Sequence, residues 1–173
     1  MATPQTEKKT PAKKAPPKAR ADAPDAITLL KNDHREVEGW FEEFEKTSVE
    51  KTKAKLAAKI CTALKVHTQI EEEIFYPAYL DATGDQELND EAIVEHDGAK
   101  KLIEEIEAGE PGDELWDAKV KVLSEMIEHH VKEEEQPDGM FAKAKKAGLD
   151  LDALGAEMAA RKEELMATFA PDA

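Results

Sequence analysis

The sequence predicts an all-α protein: an antiparallel bundle of four helices with a short extra helix at its C-terminal end. Three observations carry this. Along four segments, apolar residues recur at alternating steps of three and four, the spacing that lines one face of a helix. No segment shows the two-residue alternation of a half-buried strand. Four of the five histidines fall one per segment, each inside an apolar stripe where an imidazole is ordinarily excluded.

Taken in order, the first helix presents Ile27, Leu30, His34, Val37, Phe41 and Phe44. The second presents Leu56, Ile60, Ala63, His67, Ile70 with Glu71, and Ile74; the third, Ile93, His96, Ala99, Ile103 and Ile106. The fourth presents Trp116, Val120, Leu123, Ile127, His130 and Glu134. Breaks fall at Thr47-Ser48, at 81–84 ending in Gly84, and at 109–113, where Asp113 is a candidate N-cap. A further break at Pro137-Asp138-Gly139 is followed by a short fifth helix after Gly148, with Asp150 as its N-cap. The expected domains are a basic Lys/Pro/Ala tail over 1–22, the bundle over 23–147, and the C-terminal helix over 148–173.

Bulk properties narrow the function. A net charge of -15 and a pI near 4.8 argue against a nucleic-acid-binding core. The first twenty residues run the other way, with six basic residues against Glu7. That composition predicts a disordered, solubilising extension able to touch anionic partners weakly. It contains no apolar run of a secretory signal, and no stretch approaches a membrane span, so the expected location is the cytoplasm. The single Cys61 fits a reducing compartment and is expected to pack as a small apolar group.

Spacing turns the histidines into a site. In an antiparallel hairpin, residues at one height are equidistant from the connecting turn. Positions 34 and 67 centre just past Thr47-Ser48, 67 and 96 centre within 81–84, and 96 and 130 centre on Asp113. Three turns thus bring four imidazoles to one level. Glu71 and Glu134 each lie four residues after a histidine and so share its helix face. A buried set of imidazoles and carboxylates needs compensation for lost hydration, and a metal centre supplies it. Six ligands exceed a tetrahedral structural zinc and suit two carboxylate-bridged metals, with iron or manganese favoured by nitrogen and oxygen donors. The Glu-x-x-His pattern of ferritin-like bundles is missing: Lys31, Leu64, Ile93, Met126 and Ile127 precede the five histidines by three.

These residues, in the order Asp33-His34, His67-Thr68-Gln69-Ile70-Glu71 running on to Pro77, Glu95-His96 and His130 through Glu134, resemble the hemerythrin family, in its bacterial HHE cation-binding branch. The resemblance covers roughly residues 25 to 145. It implies an up-down-up-down four-helix bundle holding a non-haem di-iron centre with oxo or hydroxo bridging, manganese or zinc being substitutes. The matching ligands are His34, His67, Glu71, His96, His130 and Glu134, with Glu135 as the alternative to Glu134. Oxygen-carrying members have a second histidine four residues after the third-helix histidine, where this chain has Lys100. Glu38 is the candidate replacement donor; otherwise the position is open. Lys100 is either a solvated charge or a hydrogen-bond partner of a ligand. The departure at Gln136–Gly139, just before Met140-Phe141, predicts a distorted end to the fourth helix. His129, Glu72, Glu73 and Glu133 read as surface charges, and Tyr76 and Tyr79 as packing residues. The implied function is a di-iron protein handling dioxygen, nitric oxide, peroxide or iron. The alternatives are a peroxidase- or catalase-like oxidoreductase and a metal-stabilised structural adaptor.

Overall fold

The computed structural model describes residues 22–170; apart from residue 22, the basic segment lies outside them. Among these residues there is no strand. The helices are α1 (Ala26–Lys46), α2 (Glu50–Ile70), α3 (Tyr76–Thr83), α4 (Gln86–Ala108), α5 (Trp116–Glu135), α6 (Met140–Lys146) and α7 (Leu151–Phe169). A five-residue π-helical turn, Glu71–Phe75, joins α2 to α3. The bundle's four rods are α1, α2 continued through α3, α4, and α5. Helix α1 packs on α2, α4 on α5, and the hairpins meet through α2–α4 and α1–α5 contacts. Helix α7 lies along the outside of α1 and α2.

The helix starts follow local chemistry. Asp25 caps α1, its carboxylate accepting from the Thr28 amide at 3.0 Å. Asp85 caps α4 through the Leu88 amide at 3.2 Å, after Gly84 ends α3 in the left-handed region at φ 68. Asp150 caps α7 through the Ala153 amide at 3.1 Å, as its sequence position suggests. The fourth rod departs from expectation. Asp113 does not cap it; its carboxylate accepts from the Glu110 amide at 2.9 Å inside the loop. The α5 N-cap is Leu115, at φ 66, with no side-chain bond to the helix. Trp116 anchors this end instead, its indole N–H donating to the Ile106 carbonyl at 3.0 Å.

The core is apolar at both ends and polar in the middle. One cluster includes Phe41, Phe44, Leu56, Ile60, Ile103, Trp116 and Leu123, near the α1–α2 and α4–α5 turns. The other includes Ile27, Leu30, Ile70, Phe75, Tyr79, Phe141 and Met158, where α6 and α7 join the bundle. Burying such side chains is worth roughly 1.5–3 kcal/mol each. That surplus lets the layer between them be built of buried Asp33, His34, His67, Glu71, His96, His130 and Glu134.

Helix α5 stays regular through Glu135, so the expected distortion is absent from its last turn. The chain then doubles back so tightly that a Cβ on Gly139 would sit 2.3 Å from the Glu133 carbonyl oxygen. This close turn delivers Phe141 onto the metal layer: its ring stacks on His34 with centroids 6.0 Å apart and an interplanar angle of 7°.

Candidate metal centre

Each of the four rods contributes one imidazole at mid-height. The four Nε2 atoms point inward in two pairs, His34 facing His67 at 3.2 Å and His96 facing His130 at 3.2 Å. Two carboxylates span the pairs. Glu71 places Oε1 3.1 Å from His67 Nε2 and Oε2 3.0 Å from His96 Nε2. Glu134 places Oε2 3.2 Å from His34 Nε2 and Oε1 3.1 Å from His130 Nε2. The result is two groups of donors, His34, His67, Glu71 and Glu134 in one and Glu71, His96 and His130 in the other, with Glu134 Oε1 reaching His130 from the first. In the first, ligating atoms of His34, His67, Glu71 and Glu134 all lie within 4.8 Å of one another.

Each imidazole is held from behind by a further carboxylate. Asp33 Oδ2 accepts from His67 Nδ1 at 3.2 Å, and Glu72 Oε1 from His96 Nδ1 at 2.8 Å. Glu95 accepts from His130 Nδ1, and Glu135 Oε1 accepts from His34 Nδ1 at 2.8 Å. An ionised carboxylate can only accept, so Nδ1 carries a proton and Nε2 is the nitrogen turned inward, where a metal ion would take the place of its proton. The arrangement closes on itself: α1 supplies the acid for α2, the π turn for α4, α4 for α5, and α5 for α1. A cation backs three of these acids, and an exposed imidazole adjoins the fourth. Arg35 binds Glu135, Lys100 binds Glu72 at 2.7 Å and 2.8 Å, Lys162 binds Asp33, and His129 lies 3.4 Å from Glu95.

These positions sort the sequence candidates. His34, His67, Glu71, His96, His130 and Glu134 are brought together. Glu135 is not among the inward donors; it serves the back of His34. Glu38 is away from the cluster, paired with Arg35 at 3.0 Å. Lys100 bonds the acid behind His96, not a metal-facing atom. Glu72 is therefore part of the site and not merely a surface charge, and Glu73 is tied to Arg161 of α7 at 2.8 Å. His129 is exposed, next to Glu95 and Glu133.

Tyr76, read above as packing, enters the cluster itself. Its hydroxyl stands 2.9 Å from Glu134 Oε1 and 3.1 Å from Glu71 Oε2. The same oxygen is 3.1 Å from His96 Nε2 and 3.2 Å from His130 Nε2. Constant helical periodicity turns position 76 away from Glu71, and the π turn turns it back. Its cause is Pro77. Proline has no N–H and its ring collides with the carbonyl four residues earlier. The wider turn moves that carbonyl away from the ring, and the Tyr76 amide donates to the Glu71 carbonyl. A proline placed six residues after a candidate ligand is thus the signal that marks Tyr76.

The electrostatics are those of a site made for cations. Burial pulls the His67 imidazole down, but the Glu71 charge and the Asp33 bond override it and hold it at about 10. Burial and the Glu134 charge push Glu71 up, yet the His67 and His96 imidazoles bring it to about 2. Burial followed by the Glu134 and Glu71 charges drives the Tyr76 phenol well above its ordinary 10, so it keeps its proton. Glu71 Oε1 and Glu134 Oε2 are buried and accept no hydrogen bond. Two such carboxylate oxygens facing converging imidazole Nε2 atoms fit bound metal ions, and the donor set of nitrogen and oxygen fits them chemically.

Comparison with known proteins agrees. The chain has a fold like that of a hemerythrin HHE cation-binding domain-containing protein from Mycobacterium kansasii, described as a Rv2633c homologue. The two share 23% sequence identity with a TM-score of 0.69, over 84% of this chain and 89% of that one. No curated protein matches the sequence. The family model of the hemerythrin HHE cation-binding domain matches residues 25–143, which hold all four rods and every inward-facing donor. The chain belongs to the hemerythrin HHE cation-binding family.

Proposed function

We propose that the protein is a di-iron protein that binds and handles a small diatomic or peroxide ligand. The observation that carries this is the sharing of Glu71 and Glu134 between two imidazole pairs, since each pair then has two nitrogens and two carboxylate oxygens. His34 and His67 would hold one iron, and His96 and His130 the other. The iron pair would supply redox change and Lewis acidity. The chain's own residues do the rest: the outer carboxylates fix the imidazoles, and the flanking apolar clusters exclude water.

A small cavity of about 20 Å³ adjoins the four histidines and is walled by Val37, Leu64, Ile127 and Val131. Its size and apolar lining suit one small molecule and reject larger substrates. On the opposite, carboxylate side, Tyr76 keeps an O–H within hydrogen-bonding reach of the cluster. That proton favours a second reading, peroxide disproportionation to water and dioxygen, which needs no outside reductant. Among the described residues no helix is long and apolar enough to cross a membrane. We further propose a cytoplasmic location and weak contact of the basic segment with anionic partners.

Metal analysis of protein made in iron-replete medium tests the main reading. Close to two irons per chain is the expected result; one tightly held zinc and no iron would overturn it. A visible spectrum in air and with peroxide separates the two ligand classes, since a stable reversible adduct supports binding and oxygen release supports turnover.

A further inference from the structure

We infer that the C-terminal helix α7, which lies outside the matched family domain, carries a positioning residue for the metal site: Lys162. The role rests on reading the cluster as a metal centre. Asp33 uses its two oxygens in different directions. Oδ2 accepts from His67 Nδ1 at 3.2 Å, and Oδ1 accepts from the Lys162 ammonium. Lys162 thereby fixes the plane of the carboxylate that fixes His67.

The other three imidazoles are served from within the bundle. Arg35 of α1, Lys100 of α4 and His129 of α5 back Glu135, Glu72 and Glu95. Among the described residues Asp33 pairs with His67 on one side and with the Lys162 ammonium on the other. Its side chain is only 10% exposed, so water is a poor substitute for the ammonium. Without Lys162 the carboxylate is free to rotate, and His67 loses a fixed acceptor.

The placement of Lys162 is itself specified. Its neighbour Arg161 clamps Glu73 of the π turn with two bonds, Nε to Oε2 at 2.8 Å and a terminal nitrogen to Oε1 at 3.2 Å. Farther along, a Cβ on Gly155 would lie 2.1 Å from the Pro24 carbonyl oxygen, so α7 crosses the start of α1 in backbone contact. Two fixed points set the register of α7, and Lys162 falls opposite Asp33. The half of the site built on His67 therefore depends on a helix that the family domain does not include.

The test uses the full-length chain in two states. In the metal-free, isotope-labelled protein, the His67 Nδ1 proton is followed by hydrogen exchange; zinc affinity is then measured by titration. Lys162→Met should speed that exchange several-fold and weaken zinc binding about tenfold, the lower range for partners behind a ligand. Lys162→Arg should restore both. In an Asp33→Asn background Lys162→Met should have no further effect, because the lysine acts through Asp33. Unchanged exchange and affinity in Lys162→Met, or an equal loss in the Asp33→Asn background, would overturn the inference. If the unaltered chain takes up neither zinc nor iron, the metal reading fails by itself, while the His67 proton still decides the role of Lys162.

Discussion

The two halves of the centre are built from a repeated hairpin but are finished differently. His34 and His67 are 33 positions apart and His96 and His130 are 34, and both pairs take one oxygen from Glu71 and one from Glu134. Around the first pair the finish is structural: Phe141 stacks on His34, and Lys162 reaches in from α7. Around the second it is chemical, because the Tyr76 hydroxyl stands among the donors. The difference teaches that a duplicated frame becomes functionally unequal through what approaches it from outside the repeat. The π turn and the α6–α7 extension provide that approach.

The strongest way to break the comparison is to remove what the halves share. Glu71→Ala should empty both at once, dropping the metal content to near zero, whereas His129→Ala should leave it unchanged. Retention of half the metal in Glu71→Ala would show that the halves load independently.

Protons should act on both halves alike. In the metal-free protein His67 is raised from 6.5 to about 10, so its contribution to stability is complete below 6.5 and is lost as pH rises toward 10. His130 in the other half is also raised, against burial, by Glu134. Glu71 is lowered from 4.5 to about 2, so its contribution is present above 4.5 and is lost as pH falls through 2. Metal ions replace the imidazole protons, so their affinity rises with pH. The difference in melting temperature between loaded and metal-free protein should widen from pH 6.5 to 9. A constant difference would mean that the imidazoles are not the competing groups.

Tyr76→Phe should separate the halves. Removing the hydroxyl deprives Glu71 and Glu134 of a donor and should cost the metal-free protein about 1–3 kcal/mol in a urea titration. In the loaded protein only one metal should become easier to strip with a chelator. Two equally weakened metals would place the phenol at the centre of the pair and not on one side.

The smallest expected effect is at Lys100. Its ammonium faces Glu72 and is partly exposed, so Lys100→His should change metal content and the lifetime of a dioxygen adduct less than about twofold. A clear lengthening would show that the new imidazole swings inward past Glu72.

Much of this was legible in the chain. The four imidazoles at one level, the two bridging candidates four residues after a histidine, and the helix boundaries at Gly84 and Asp150 all follow from periodicity and capping. Three things did not. Tyr76 was hidden because a constant helical step places it off the face, and only the π turn forced by Pro77 corrects the step. Glu72 and Glu95 were hidden because a charge next to a ligand on the same helix looks solvent-facing, and its partner lies on another helix; Glu135 stood as an alternative ligand and instead backs His34. Lys162 was hidden because a long-range ion pair leaves no local pattern. Asp113 shows the reverse error, since a good capping residue was used inside its loop, and Leu115 begins the helix.

The closed circuit of acids and imidazoles has a consequence for how the molecule comes apart. Three of its links join rods that are consecutive in the chain, but the fourth, from Glu135 to His34, ties the last rod to the first. Completion of the circuit therefore coincides with completion of the tertiary fold, and no isolated hairpin can present a finished half. Release of the last metal and global opening should be a single cooperative event. Backbone amides around His34, His67, His96 and His130 should then exchange only through complete unfolding when metal is bound, and by more local opening once it is removed.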